Sequence, residues 1–580
     1  MIRQRVVNLR FAFFRYSESN QKNYQLSCSS TRNLLGTWYR KMDKSSKDTP
    51  TEDCFQSTIE TVDSSSSSSF WNYLSLASKK LDSIGVETRG IERIQPYERS
   101  TNKTKQLLSV MGLWLSATGG LSSMSSFYLG PLLFDLGLKK SLIAGTVGQT
   151  IGCFIAAYCS LMGPRSGCRQ MVGARFLFGW WTVKFVSLIS ICGVMGWSVV
   201  NSVVGGEILV SMSNEKIPLV VGIIIIAVIS LLVSIGGIKQ LMKVEAFLSI
   251  PVNFAFLMLY VVSSKKYSYL SVEDGPADPA TIRGNWLSFF SLAYSVTSTW
   301  GSIASDYYIL FPENTPDAKI FSITFFGIWI PTTFVATSGA LIANVAMNYP
   351  PWRDAYDKYG MGGLLNAAFE PWGGGGKFLL CLIFLSLVSN NIINTYSAAF
   401  GFQLAGRYFG KIPRWLWAII ITAVYLICAL VGRNQFAAIL GNFLPMIGYW
   451  ISMYFIILLE ENTIFRTDRF VHLYTKEFED VKQTKDEREI FSKELRKNQH
   501  YNFEIWNDIN KLTYGIAATI SFLIGAVGAV LGMAQTYWIG PIAVAIGGEF
   551  GGDIAMWLCM GFSGAVYPFL RYWELKKFGR

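Results

Sequence analysis

The chain has 580 residues, of which 51% are hydrophobic and only 16% charged, with a mean hydropathy of +0.32. Soluble domains carry about 25% charged residues, so this composition points to an integral membrane protein. The formal net charge of +12 sits in the N-terminal segment and in short loops, which is the bias of cytoplasmic loops rather than of a nucleic-acid surface.

Residues 1 to about 105 are polar and include an unbroken run from Ser64 to Ser69. Such a segment cannot bury enough apolar surface to fold alone, and a disordered cytoplasmic tail is expected. Its first residues are basic (Arg3, Arg5, Arg10, Arg15) with Phe11, Phe13 and Phe14. That pattern is shared by mitochondrial presequences and by disordered basic tails. Lys22, Lys41, Lys44 and Lys47 make the tail a candidate for ubiquitin-driven endocytosis.

Long apolar stretches follow at about 106–134, 141–163, 174–211, 218–237, 244–264, 284–311, 318–346, 377–405, 412–432, 436–460, 511–534 and 541–570. Each approaches or exceeds the roughly 20 residues that a spanning helix needs. The expectation is an all-α membrane protein of twelve spans. A ten-helix core over 106–460 would be followed by a charged loop at 461–510 and two extra helices over 511–580. An even count puts both termini on one side. Arg165, Arg169 and Arg175, Lys239 and Lys243, Arg407, Lys411 and Arg414, the run from Arg466 to Lys511, and Arg571, Lys576, Lys577 and Arg580 then all face the cytoplasm.

The first span carries Ser116, Ala117, Thr118, Gly119, Gly120, Leu121, Ser122 and Ser123, and the sixth carries Ser295 through Ser302. Small and hydroxyl residues at mid-span permit unwound backbone, tolerated where it lines a cavity. The first and sixth spans each begin a set of five. A five-plus-five inverted repeat with broken first helices is therefore expected. Close helix packing is the competing explanation for the small residues.

Trp197 and Asn201 stand four apart on the third span and share one face. The eighth span places Ser389, Asn390, Asn391 and Asn394 within an apolar run, and Trp300 lies in the interrupted part of the sixth. Buried amides are costly without partners, and an indole beside an amide suits a flat, polar, nearly neutral solute. Ser116 and Thr118 join this set of candidate substrate-binding residues. Asp306 and Glu207 are the coupling candidates, since burial disfavours an ionised carboxylate; each can equally be a gate or a packing partner of Lys184 or Arg175. Ser386 and Ser389 with the backbone of the first span form an alternative sodium site. No CxxC pair or Cys/His spacing suggests a metal, no cofactor is expected, and no Walker loop or other enzyme motif is present. The run Gly373 to Gly376 falls in the predicted loop before the eighth span and reads as a flexible external gate or turn.

Several strings resemble the nucleobase-cation-symport family in its fungal purine-cytosine permease branch: Gly90-Ile91-Glu92-Arg93-Ile94 with Tyr97-Glu98-Arg99, Met162 to Met171, Ser305-Asp306-Tyr307, and Asn390-Asn391-Ile392-Ile393-Asn394. Within the branch, Gly112 to Phe127, Gly196 to Glu207, Val388 to Phe400 and Gly441 to Met453 resemble its plasma-membrane vitamin B6 transporters most. The resemblance covers about residues 80–580. It implies a five-plus-five repeat with two extra helices, alternating access and proton symport. It also implies that the stacking tryptophans fall on Trp197 and Trp300, and the amides on Asn201, Asn390, Asn391 and Asn394. Nucleobase members commonly have Pro where this chain has Ile393, and Asn where it has Thr118-Gly119-Gly120. A pyridoxine-like substrate is thus expected ahead of cytosine or a purine. A membrane sensor with little transport is the reading from another class.

Overall fold

The computed structural model describes residues 76–80, 90–100, 102–479 and 500–580, and Leu74–Arg580 form one compact unit. The expectations for residues 1–75 (the serine run, the basic start and the tail lysines) lie outside the described residues.

The helices used below are α1 (Lys103–Thr118), α2 (Leu121–Phe127), α3 (Leu138–Ser160), α4 (Arg175–Met212), α5 (Leu219–Ser234), α6 (Ile238–Ser263), α7 (Pro279–Ser298), α8 (Asp317–Asn348), α9 (Pro350–Phe369), α10 (Gly373–Leu404), α11 (Arg414–Gly432), α12 (Phe436–Glu460), α13 (Ile516–Gly532) and α14 (Ala555–Phe578). Among the described residues, seven helical stretches are long and apolar enough to cross a membrane. The number is eight when the pair Thr104–Thr118 and Leu121–Leu132, bent by 41°, counts as one span. α5 and α13 are shorter apolar helices. The distribution of polarity fits a lipid solvent. Leu232, Phe247, Ile250 and Val431 are each at least 69% exposed, whereas Glu245, Asn201 and Asn391 are fully buried.

Local chemistry sets the helix ends. Asn102 caps α1 by accepting from Lys105 N at 3.0 Å. Asp278 caps α7 by accepting from Ala280 N and Thr281 N, with Pro279 in the first turn. Two helices stop inside the protein. α1 ends at Gly119, and Gly120 is extended (φ −122°, ψ 177°) before α2 begins. A Cβ on Gly120 would lie 2.9 Å from Ser386 Cβ, so only glycine lets the break sit this close to α10. α7 gives way at Thr299 to two short 3-10 turns, Thr299–Ser302 and Ala304–Tyr307, separated by Ile303.

Neighbouring pairs are α13 with α14, α3 with α7, α4 with α10, and α1 with α6. Small residues permit the α3–α7 contact: a Cβ on Gly152 would meet Tyr294 O at 2.4 Å. A two-stranded antiparallel hairpin, β1 (Ala534–Gln535) and β2 (Trp538–Ile539), joins α13 to the segment before α14, with Ala534 opposite Ile539.

The stretch between the seventh and eighth predicted spans differs from expectation. α9 fills most of it, and Gly373 to Gly376 form the first turn of α10 instead of a flexible gate. Gly373 has a positive φ (50°), which favours glycine, and each of the glycines after it costs the helix about 1 kcal/mol. The apolar residues that follow propagate the helix and offset that cost.

Residues 90–100 lie against the short helix after α3. Arg93 Nε donates to Ser166 O at 2.7 Å, and Arg99 donates to Pro164 O. After α12 the chain makes one π-helical turn, Glu461–Phe465. Glu461 there is paired with Arg466 at 3.1 Å and Arg571 at 3.0 Å, and Arg466 pairs with Glu477 at 2.8 Å. This buried network ties residues 461–479 to α14.

Candidate functional site

The amides converge. Asn201 on α4 donates through Nδ2 to Asn390 Oδ1 and to Asn391 Oδ1 on α10, both at 2.9 Å. Asn394 Nδ2 donates to the same Asn390 oxygen at 2.9 Å, and Asn391 Nδ2 reaches Ser202 Oγ at 3.4 Å. Asn390 turns its own Nδ2 to Ala117 O at 3.1 Å. Ser386 accepts from Leu121 N at 2.9 Å on the other side of the break. The interrupted backbone of α1 and α2 is thus satisfied by side chains of α10, as burial at membrane depth requires.

A small cavity lies beside this junction. Its lining includes Trp197 and Val194 from α4, Ser122 and Ser123 from α2, Trp300 and Ile303 from the interrupted segment after α7, and Asn390 and Asn394 from α10. Trp197 and Trp300 are each 5% exposed, so both indoles are buried in the cavity wall. Trp300 is held edge-on by Trp114, with centroids 5.5 Å apart and planes at 88°. Trp114 Nε1 in turn donates to Tyr308 OH at 2.9 Å. Two polar groups here are buried without a hydrogen-bond partner: Trp197 Nε1 and Asn201 Oδ1. Native interiors seldom leave such groups unpaired, and a donor and an acceptor beside a cavity point to a polar ligand.

A second cavity shares Val194 and Ile303 with the first. Arg169, Asp306, Ser397 and Phe400 are among its lining residues. Arg169 lies 3.3 Å above the Phe400 ring and donates to Tyr396 OH at 3.0 Å. Asp306 accepts from Gln170 N at 2.8 Å.

Of the residues singled out in the sequence, Trp197, Trp300, Asn390 and Asn394 line the first cavity. Asn201 and Asn391 stand behind them as the amide junction. Thr118 donates to Trp114 O at 2.7 Å and Ser116 contacts Ser389 at 3.0 Å, so neither belongs to the cavity lining. Glu207 lies apart from both cavities. Its Oε2 accepts from Met361 N at 3.0 Å and Gly362 N at 3.4 Å, where α9 restarts after the break at Gly360. Lys184 and Arg175 are not its partners. Arg175 bonds Trp506 O and Asn507 Oδ1, and Lys184 lies over Trp181. Two buried residues outside the cavity linings escaped the sequence reading. Trp114 is one aromatic among many in an apolar span. Glu245 sits two residues after Lys243, where it reads as a boundary charge. Among the described residues, no group of His, Cys, Asp and Glu is arranged to hold a metal ion.

The model of the family described as permease for cytosine/purines, uracil, thiamine and allantoin matches residues 96–540. The vitamin B6 transporter TPN1 of Saccharomyces cerevisiae is 60% identical over 523 residues, covering 87% of this chain and 90% of that protein. The purine-cytosine permease fcyB of Emericella nidulans is 30% identical over 498 residues, covering 86% and 90%. Among solved structures, Mhp1, a nucleobase-cation-symport-1 transporter in a closed conformation with bromovinylhydantoin bound, aligns with a TM-score of 0.56. That alignment has 15% identity and covers 85% of this chain and 96% of Mhp1. These relatives are transporters and permeases, not enzymes.

Proposed function

Because the chain belongs to the family of permeases for cytosine/purines, uracil, thiamine and allantoin, we propose that it is a secondary importer of vitamin B6, taking pyridoxine and related vitamers. One observation carries the reading: a cavity flanked by the buried indoles of Trp197 and Trp300, with a fixed amide cluster and an unpartnered indole N–H and amide oxygen. Pyridoxine is a flat, nearly neutral heterocycle with several hydroxyls. Its ring stacks on an indole, and its hydroxyls pair with the cavity-lining amides Asn390 and Asn394 and with the free N–H of Trp197. The 60% identical yeast relative, named for vitamin B6 transport, supports the same substrate class.

The transport cycle in this reading is alternating access driven by proton symport. The cavity at Trp197 and Trp300 holds substrate. The adjoining cavity at Arg169 and Asp306 is its cytoplasmic exit, with Val194 and Ile303 as the partition. The interruptions after Thr118 and Ser298 support a five-plus-five repeat of broken helices within a twelve-span chain. The protein resides in the plasma membrane with both termini in the cytoplasm, in keeping with the Lys and Arg content of the loops on that side. The N-terminal segment is then available to the ubiquitin machinery.

Uptake of labelled pyridoxine in yeast lacking its own B6 importer tests the reading, with excess unlabelled pyridoxine, cytosine or adenine as competitor. Uptake blocked by pyridoxine alone and abolished by a protonophore is expected. Block by cytosine or adenine would favour a nucleobase symporter, and indifference to the protonophore would remove proton drive.

A further inference from the structure

Glu245 is a fully buried acid on α6 that lines neither cavity. Ser389 on α10 donates to its Oε2, and Ser389 Oγ lies 3.0 Å from Ser116 Oγ on α1. Glu245 Oε1 has no hydrogen-bond partner. Among the described residues no Lys or Arg pairs with it, so it is not half of a structural salt bridge. The titratable side chain within its electrostatic reach is Tyr307, on the turn after α7. α10 and α1 present the hydroxyls of Ser389 and Ser116 and no charge.

These hydroxyls decide what the carboxyl can do. A serine donates to an ionised carboxylate and accepts from a neutral acid, so the chain Glu245–Ser389–Ser116 accommodates both states by reversing its hydrogen bonds. A carboxylate buried without a cation is otherwise costly at membrane depth and is a functional group by default.

The position links this group to the substrate. Ser389 precedes Asn390, which lines the cavity and bonds Ala117 O at 3.1 Å. Ser116 precedes Ala117. The α1–α10 seam therefore carries two adjacent contacts, one to substrate-lining Asn390 and one to Glu245. Any movement that parts the seam to admit or release substrate also removes Ser116 from the Glu245 chain. Neither Asp306 nor Glu207 has this relation: Asp306 lines the second cavity, and Glu207 is engaged by the N-terminus of the second segment of α9.

We propose that Glu245 is the group that takes up and releases the coupling proton, in register with the opening and closing of the α1–α10 seam. The inference rests on the importer reading above and assigns its coupling site.

The test uses the full chain reconstituted in liposomes with two assays. One is exchange of external labelled pyridoxine against internal unlabelled pyridoxine without an ion gradient. The other is accumulation driven by an imposed proton gradient. For Glu245→Gln the expectation is exchange within about twofold of wild type, accumulation lowered about tenfold or more, and loss of its pH dependence. Glu245→Asp keeps a titratable group and is expected to accumulate substrate with a displaced pH profile. Wild-type accumulation by Glu245→Gln, with the wild-type pH profile, would overturn the assignment. So would parallel loss of exchange and accumulation at equal reconstituted protein. If Glu245→Gln does not reconstitute, an unchanged pH profile in Glu245→Asp overturns the assignment and a displaced one supports it. Wild-type accumulation driven by a sodium gradient and not by protons also overturns it. Absence of pyridoxine exchange in the wild type would instead count against the importer reading itself.

Discussion

Asn201 on α4 reaches across to Asn391 on α10 with a 2.9 Å hydrogen bond, and both side chains are fully buried. The bond joins two helices at the level of the cavity, and the same Asn201 nitrogen also holds Asn390. Orientation of the cavity-lining amide therefore depends on a residue that does not line the cavity. Asn391→Ala removes one of two acceptors of Asn201 and frees it to turn. Loss of a buried hydrogen-bond partner costs about 1–3 kcal/mol, so uptake efficiency should fall about tenfold or more. Uptake kinetics at matched surface abundance check this; wild-type affinity would remove Asn391 from the site.

Trp197 contributes an aromatic face and an indole N–H that lacks a protein partner. Trp197→Phe keeps the face and loses the donor. Its KM for pyridoxine should rise by about tenfold with little change in maximal rate, while Trp197→Ala should lose more because stacking goes as well. Equal kinetics for Trp197→Phe and wild type would mean that the N–H does not meet substrate.

Gly120, in the break of the first span, packs against Ser386 of α10. Gly120→Ala would drive a methyl group to 2.9 Å from Ser386 Cβ and disturb the 2.9 Å bond from Leu121 N to Ser386 Oγ. Overpacking of this kind costs about 1–3 kcal/mol. Lower thermal stability of the detergent-purified protein and depressed uptake are both expected; unchanged values would mean that the break relaxes freely.

Glu461, Arg466 and Arg571 are each no more than 1% exposed at the side chain, and both arginines bond Glu461 directly. Arg571→Ala strips a partner from a buried acid. Removing one member of a buried pair costs about 3–5 kcal/mol, which should lower the midpoint of thermal unfolding clearly. The double variant Arg571→Met with Glu461→Leu should recover part of that loss, because the buried acid that lost a cation is gone and Arg466 keeps Glu477 as a partner. Additive losses in the double variant would contradict this.

What the sequence made legible follows from how unusual each residue is in its surroundings. Asn390, Asn391 and Asn394 stand out because amides are expensive in an apolar run, and Gly119-Gly120 stands out because paired glycines interrupt a helix. Glu245 did not stand out: with Lys239 and Lys243 just before it, it resembles an interfacial charge, and only packing against Ser389 reveals its burial. α9 was missed for another reason. It has polar residues throughout its first turns and a break at Tyr359 and Gly360, so no long apolar window marks it. Thr118 and Glu207 illustrate the reverse. Their residue types suit a site, but local backbone groups of Trp114, Met361 and Gly362 take their hydrogen bonds.

The most direct measurement is calorimetric binding of pyridoxine to the purified full chain, wild type beside Asn391→Ala, with cytosine as the comparison ligand. Saturable binding of pyridoxine to the wild type is predicted, weakened about tenfold or more in Asn391→Ala, with cytosine binding weaker than pyridoxine. Equal pyridoxine affinity in the two proteins, or tight binding of cytosine without binding of pyridoxine, would contradict the account.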